Sequence, residues 1–339
     1  MMVAARSPSA ARIAGLGVHL PPHVRHTHET ERALRRASGL PLPTGLIARM
    51  TGVESVHVAT DLDASDLAVE AARAALAESP GDVDLLIFAS ASQDLIEPAT
   101  SHIVSAKLGL DGVPVLDVKN ACNSVLNGLQ VAEALIRAGQ YERVLVASGE
   151  KPSSAVRWAI RDRAEFMRSF PGFTMSDGGA AIVLERTDDP ARGILAQSFH
   201  AESQHWNIGT LPAGGTMRPR DLEATYFDMD GHALRAAFMA LGPDPVHRFL
   251  RKHGWTWDDF DFVAIHQVSA PFLPPVFEGL GVPMDRSIVT VTDHGNLASA
   301  TLPLQIQLAR QRGLVAAGSL LLLIGLAGGI SLGLTAVRL

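Results

Sequence analysis

The second half of this chain repeats the first, element by element, and that duplication limits the folds open to it. DLLIFAS, beginning at Asp84, matches FVAIHQ, beginning at Phe262. VLDVKNAC, ending at Cys122, matches VTVTDHGN, ending at Asn296. RVLVASGE, ending at Glu150, matches LLLLIGLAGG, ending at Gly329. In each pair an apolar run of strand length leads into a polar or glycine-rich turn, and a helical pattern follows. Val83 to Ala89 is nearly continuous in apolar residues, as expected for a strand covered on both faces. Alternating strands and helices of this kind predict an α/β protein with mostly parallel sheets sandwiched by helices. The join between halves falls near Glu185 to Arg192, which divides the chain into units 1–188 and 189–339. No low-complexity linker separates them, so they are expected to pack as one body.

The remaining elements follow from local pattern. Strands are expected at Arg12 to Val18, Val113 to Val118, Arg143 to Ala147 and Gly179 to Leu184. In the second half they are expected at Phe262 to Ile265, Ser287 to Val291, Ser319 to Ile324 and Ile330 to Val337. Helices are expected over Thr30 to Ser38 and over Pro98 to Leu108. Another runs from a Ser65 cap to near Pro80, and others from Cys122 to about Gly139, from Pro271 to Leu280 and from Asn296 to near Gly313. Gly39 to Gly52 reads as an irregular surface excursion. The stretch Ser319 to Val337 carries no charge and is long enough in principle to cross a bilayer. Its glycines, Gly325, Gly328, Gly329 and Gly333, instead predict two buried strands joined by a turn, so no membrane span is expected.

Composition narrows the function. With 47% hydrophobic and 19% charged residues, the chain can bury a large core and is not disordered. A net charge of −6 argues against nucleic acid as a partner. A single cysteine excludes an intramolecular disulfide framework and a cysteine-based metal site, and points to a reducing cytoplasm. Met1 to Arg12 lacks the apolar stretch of a secretory signal.

That cysteine, Cys122, follows a strand directly and stands at an expected helix start. Helix N-termini carry free N–H groups and partial positive charge, which should lower a thiol pKa and favour the nucleophilic thiolate. Taken alone, it reads sooner as a small core residue. His266 and Asn296 occupy the corresponding strand ends in the second half. Such loop ends are where open α/β sheets bind ligands. Three chemically competent residues on repeat-related loops therefore outweigh the structural reading of each one. His294, close to Asn296, is a weaker competitor.

In this context DVKNACNSVLNGL, SDGGAAIVLE, MDGHALRAAF, IHQVS, DHGNLASAT and GLAGGISLG occur in an order that resembles the thiolase superfamily, specifically β-ketoacyl-ACP synthase III-type condensing enzymes. The resemblance spans nearly the whole chain. It implies a five-layer αβαβα thiolase fold, a dimer and ping-pong thioester chemistry with no bound cofactor. Cys122 would carry the acyl group. His266 and Asn296 would donate hydrogen bonds to the enolate of the second substrate. The backbone N–H groups of Cys122 and Gly328 would form the oxyanion hole. Acyl-CoA or acyl-carrier-protein thioesters would be the substrates, the carrier protein being a further partner in the second case. The dimer could be formed with an identical or a related chain.

The sequence also departs from that family. Ser269 stands where an asparagine is usual, Pro271 where an arginine follows, and Arg49 is displaced by one from the Arg-Thr-Gly pattern, here Met50-Thr51-Gly52. The donor-docking surface is therefore expected to be rebuilt. Glu97, before Pro98, occupies a position that is usually apolar in priming synthases. It resembles instead the head-to-head condensing enzymes of olefin, β-lactone and α-pyrone pathways, where a base removes an α-proton. The leading reading is thus Claisen condensation of two acyl thioesters without decarboxylation, giving a β-keto product. Three alternatives stay open: a decarboxylative priming synthase of fatty-acid or polyketide synthesis, an acyltransferase to a small molecule, and a non-catalytic dimer partner. Leu95 and Ile96 are expected to surround Glu97 with an apolar pocket.

Overall fold

The computed structural model describes residues 10–339; most of the N-terminal stretch read above as lacking a signal lies outside the described residues. Nine strands make the two main sheets. In the first half they are β1 (Ala10–His19), β2 (Leu85–Ala89), β3 (Val115–Val118), β4 (Arg143–Glu150) and β5 (Gly178–Thr187). In the second they are β6 (Gly193–Ala201), β7 (Phe262–Ile265), β8 (Leu320–Ala327) and β9 (Ser331–Arg338). The first sheet has the order β1-β5-β4-β2-β3, and the second β7-β8-β9-β6. The duplication is visible in these orders: β6, β9, β8 and β7 occupy the places of β1, β5, β4 and β2, with the same relative directions.

The expectation of mostly parallel sheets is corrected here. β2 runs parallel to β3 and β4, and β7 to β8, while β5 is antiparallel to β1 and β4, and β9 to β6 and β8. An apolar run reports burial on both faces but says nothing about strand direction, which the connections decide.

Five layers result. Helices Ser124–Arg137 and Thr301–Gln311 lie between the sheets. Their Leu126, Leu129, Ile136, Leu302 and Ile306 share one core with Ile87 and Val146 of the first sheet and Phe262 and Leu321 of the second. The other face of the first sheet is covered by Ala64–Glu78 and Thr100–Leu108. The other face of the second is covered by Asp244–His253 and Leu273–Leu280. The alanine-rich helix Ala64–Glu78 lies directly on glycines of β1. A Cβ on Gly17 would stand 2.1 Å from Ala71 O, so only glycine permits this spacing.

Four local expectations are also corrected. Asp63, not Ser65, caps the helix Ala64–Glu78; its N–H donates to Asp66 Oδ2 at 2.9 Å. The Gly39 to Gly52 segment contains a helix, Leu46–Thr51, with Ile47 fully buried. It forms because the buried Glu31 carboxylate accepts from Gly45 N at 2.8 Å and Ile47 N at 2.9 Å. The Ser287 to Val291 strand does not form. The buried Gln267 amide takes over the bonding a neighbouring strand would provide. It donates to Ile288 O at 2.7 Å and accepts from Thr290 N at 2.8 Å and Val291 N at 3.2 Å. Val291 then begins the short helix Val291–His294. Finally, Cys122 lies before its helix, which starts at Ser124 with Asn123 as N-cap.

Ser319 to Val337 contributes β8, the turn and β9, and among the described residues no helix is long and apolar enough to cross a membrane.

Candidate active site

Cys122 and Asn296 are delivered by the same device, inherited by both halves. The residue just before each has positive φ: Ala121 at 46° and Gly295 at 64°. A left-handed alanine is strained, and strained turns of this kind push a nucleophile out of the backbone path. Ser124 holds the Cys122 turn, accepting from Asn120 N at 2.9 Å and donating to Ala121 O at 2.7 Å. Asn296 is fixed by its backbone to Thr174 O and Ser176 N, both at 2.9 Å. Its Oδ1 accepts from Ala298 N at 2.9 Å, leaving the side-chain NH₂ as the group free to donate.

Strand β8 brings His266 towards Cys122. The His266 N–H extends the β7–β8 ladder by donating to Ile324 O at 2.9 Å. The adjoining Gly325 abuts Asn123, where an added Cβ would come 2.0 Å from Asn123 Oδ1. Asn123 in turn donates to Ser331 O at 3.1 Å and Ser331 Oγ at 2.9 Å. The start of the cysteine helix is thereby pinned to the β8–β9 hairpin that carries Gly328. Among the described residues, none beyond its chain neighbours lies within 4 Å of where a Gly328 Cβ would stand. Packing therefore does not demand glycine there.

The site favours neutral groups. His266 is buried with neither ring nitrogen hydrogen-bonded, and burial pushes its pKa down to about 4. A neutral imidazole keeps one N–H to donate and one nitrogen to accept at neutral pH. The expected lowering of the Cys122 pKa is overturned: the thiol is pushed up to about 12. Burial is the largest cause, although the residue keeps some accessible surface; the buried carboxyl of Glu150 raises it further when ionised. A backbone hydrogen bond acts in the opposite direction but is outweighed. Cys122 is therefore held as a thiol at neutral pH, and any attack by its sulfur requires loss of that proton.

His266 carries a pH prediction. The unfolded chain takes up a proton near pH 6.5 and the folded one near 4. The stability gained by keeping this imidazole neutral is therefore whole above pH 6.5 and lost as pH falls towards 4. The difference amounts to about 3 kcal/mol. In urea titrations, wild type should lose stability over that window, and His266→Asn should lose less. Parallel curves for the two proteins would contradict this.

Other expected residues sit differently. His294 belongs to a structural pair: it stacks on His57 with ring centroids 5.3 Å apart, and its Nδ1 lies 3.1 Å from His57 Nε2. Glu97 is exposed, and Leu95 and Ile96 are exposed with it at 51% and 68%, so they build no pocket around it within this chain. The loop projects from the sheet and leaves all three side chains outward. The departures from the family meet each other: Ser269 Oγ donates to Thr51 O at 3.2 Å, and Gly52 packs on Ala270 and Pro271. Arg49 is exposed and donates to Thr44 O at 2.6 Å. The sequence reading missed Glu150, a buried carboxyl that raises the Cys122 pKa when ionised; ending an apolar strand, it carried no motif to mark it.

Comparison with known proteins gives the family and the fold. Residues 116–203 match the 3-oxoacyl-[acyl-carrier-protein] synthase III family, and residues 250–339 match its C-terminal domain family. The beta-ketoacyl-[acyl-carrier-protein] synthase III of Cereibacter sphaeroides is 31% identical over 336 residues, covering 97% of this chain and 98% of the relative. The chain belongs to the 3-oxoacyl-[acyl-carrier-protein] synthase III family. The corresponding protein of Rhodobacter capsulatus is 30% identical over the same length. Among solved structures, synthase III (FabH) from Pseudomonas aeruginosa PAO1 aligns with a TM-score of 0.85 at 28% identity, covering 97% of this chain and 98% of that one. OleA of Xanthomonas campestris, solved with lauric acid and lauroyl-CoA, aligns at 0.87 with 24% identity, covering 97% and 99%; that likeness concerns the fold. This synthase III-family chain is therefore an acyltransferase of the condensing type on the thiolase fold.

Proposed function

We propose that the enzyme joins two acyl thioesters head to head, without decarboxylation, to give a β-keto acyl thioester. Cys122 attacks the first thioester and holds its acyl group, the carrier thiol leaving with the cysteine proton. The N–H groups of Cys122 and Gly328 receive the oxyanion. Glu97 removes an α-proton from the second thioester. Neutral His266 and the Asn296 NH₂ hold the enolate oxygen while its carbon attacks the acyl group and frees Cys122. The observation that carries this reading is the carboxylate at position 97. A malonyl donor creates its carbanion by losing carbon dioxide, whereas a simple acyl thioester requires a positioned base.

Glu97 is exposed on its own chain, which suits service to a neighbouring protomer. The edge strand β3 supports a dimer: Val115, Leu116 and Val118 are half-buried on a strand paired on one side only. Such an edge calls for a partner. A decarboxylative priming reaction is the second reading, favoured by the names of the relatives at 30–31% identity.

One experiment separates the two. Given only simple acyl-CoAs, the wild-type enzyme should form a β-keto product. Glu97→Gln should keep acylation of Cys122 while slowing condensation by about 10²–10⁴. With a malonyl-type donor the same variant should be nearly unaffected. Wild-type condensation of simple thioesters by Glu97→Gln would move the decarboxylative reading ahead.

A further inference from the structure

Glu150 ends β4 and is 1% exposed. A glutamate is almost never buried this deeply without a cation. Among the ion pairs of the described residues none includes it, and Lys151, next in sequence, reaches Asp63 at 3.2 Å instead. Its neighbours are neutral and come from two other segments. Ala91 N donates to it at 3.0 Å and Ser92 Oγ at 3.2 Å, both from the loop that leads to Glu97. Ser299 Oγ, from the turn after Asn296, also donates to it and lies 3.1 Å from Ser148 Oγ. The loop is further tied to the strand, since Ser90 Oγ donates to Gly149 O at 2.7 Å and Lys151 N donates to Ser92 Oγ at 2.9 Å.

We propose that Glu150 is a positioning residue that acts as a neutral carboxylic acid, clamping the Asn296 turn and the Glu97 loop to the end of β4 while keeping negative charge away from Cys122. The proposal rests on the roles given above to Cys122 and Asn296. A neutral acid fits a cluster with no cation: its Oε1 accepts from Ala91 N and Ser299 Oγ, and its O–H on Oε2 donates to Ser92 Oγ, a hydroxyl able to accept as well as donate. Burial raises the Glu150 pKa and so favours the protonated form, against the pull of its hydrogen bonds. Ionised, it would oppose formation of the thiolate on which acylation depends. Of the other charged groups nearby, Asp94 accepts from Ser65 N at 3.1 Å, Lys151 is turned to Asp63, and the buried Asp177 accepts from Ala59 N at 2.8 Å and Ser153 N at 2.9 Å; Glu150, when ionised, acts on Cys122.

The test compares full-length wild type, Glu150→Gln, Glu150→Ala and Ser299→Ala. Glutamine is neutral: with its oxygen in the Oε1 place it accepts from Ala91 N and Ser299 Oγ, and its NH₂ in the Oε2 place can donate to Ser92 Oγ. It should retain condensation within about threefold of wild type, whereas alanine should lower kcat by tenfold or more with KM little changed. Ser299→Ala should fall in the same direction as Glu150→Ala, which keeps the proposal open to refutation if Glu150→Ala does not fold. The second readout is iodoacetamide alkylation of Cys122 between pH 6 and 8, followed by intact mass. This depends on the thiol alone, so it stands or falls apart from the condensation reading. Wild type and Glu150→Gln should alkylate at rates within about twofold of each other. Tenfold faster alkylation in Glu150→Gln would show a charged Glu150 in the wild type and overturn the proposal. Equal loss of condensation in Glu150→Gln and Glu150→Ala would overturn it as well.

Discussion

Cys122→Ala is expected to remove all covalent acylation and to lower condensation by at least about 10⁴-fold. The cause is chemical: the acyl group has no other thiol to occupy, since Cys122 is the one cysteine in the chain. The experiment is correspondingly clean. Incubation with acyl-CoAs of graded length, followed by intact mass, should add one acyl unit to wild type and none to the variant. The length that loads fastest would also report the size of the acyl pocket. The high thiol pKa adds a second expectation. Acylation should rise with pH through the alkaline range, because the resting site holds a thiol near 12. Folding should be little affected, since the turn is held by Ser124 and Asn123 and not by the sulfur. An adduct that survives in Cys122→Ala would end the assignment.

His266→Ala and Asn296→Ala should each cost about 10²–10³ in condensation and far less in acylation. The distinction follows from when charge develops: the enolate exists only after the second thioester has lost its proton or its carboxyl group. His266 suits this role because burial keeps it neutral and its ring nitrogens make no hydrogen bond among the described residues. The two variants differ in their structural risk. Asn296 also accepts from Ala298 N, and Ala298 has a φ of 48°, so alanine at 296 frees a strained turn. Asn296→Asp retains that acceptor and removes the NH₂ donor, separating the two effects. Condensation should remain as slow in Asn296→Asp as in Asn296→Ala. Combining His266→Ala with Asn296→Ala should cost less than the product of the single losses, because both serve one oxygen. Equal damage to acylation and condensation would mark these residues as structural.

Much of this architecture is written locally. The apolar runs of β2, β4, β7 and β8 state burial on both faces, and their matched order in the two halves carries the duplication. The glycines between Leu326 and Ile330 separate β8 from β9 where an unbroken apolar segment would have suggested a membrane helix. Cys122 and Asn296 stand at repeat-related positions because one elbow was used twice, and His266 because a strand ends just before it.

What local pattern could not supply is chemistry donated from far along the chain. The helix Leu46–Thr51 depends on the Glu31 carboxylate, and Thr100–Leu108 on Asp117, which accepts from Thr100 N at 2.8 Å and Ser101 N at 2.9 Å. The strand missing at Ser287 to Val291 was displaced by one glutamine amide. The Cys122 proton affinity was misjudged for the same reason: a helix start can be read from sequence, but desolvation comes from packing. By itself, then, the sequence determined the doubled α/β pattern and the strand-end and turn positions of Cys122, His266 and Asn296, because these arise from short-range periodicity and strand-end geometry. Only the tertiary structure decided strand direction, the remote caps, the neutral state of the site and the outward position of Glu97, because each depends on which distant groups share a low-dielectric interior and which are left in water.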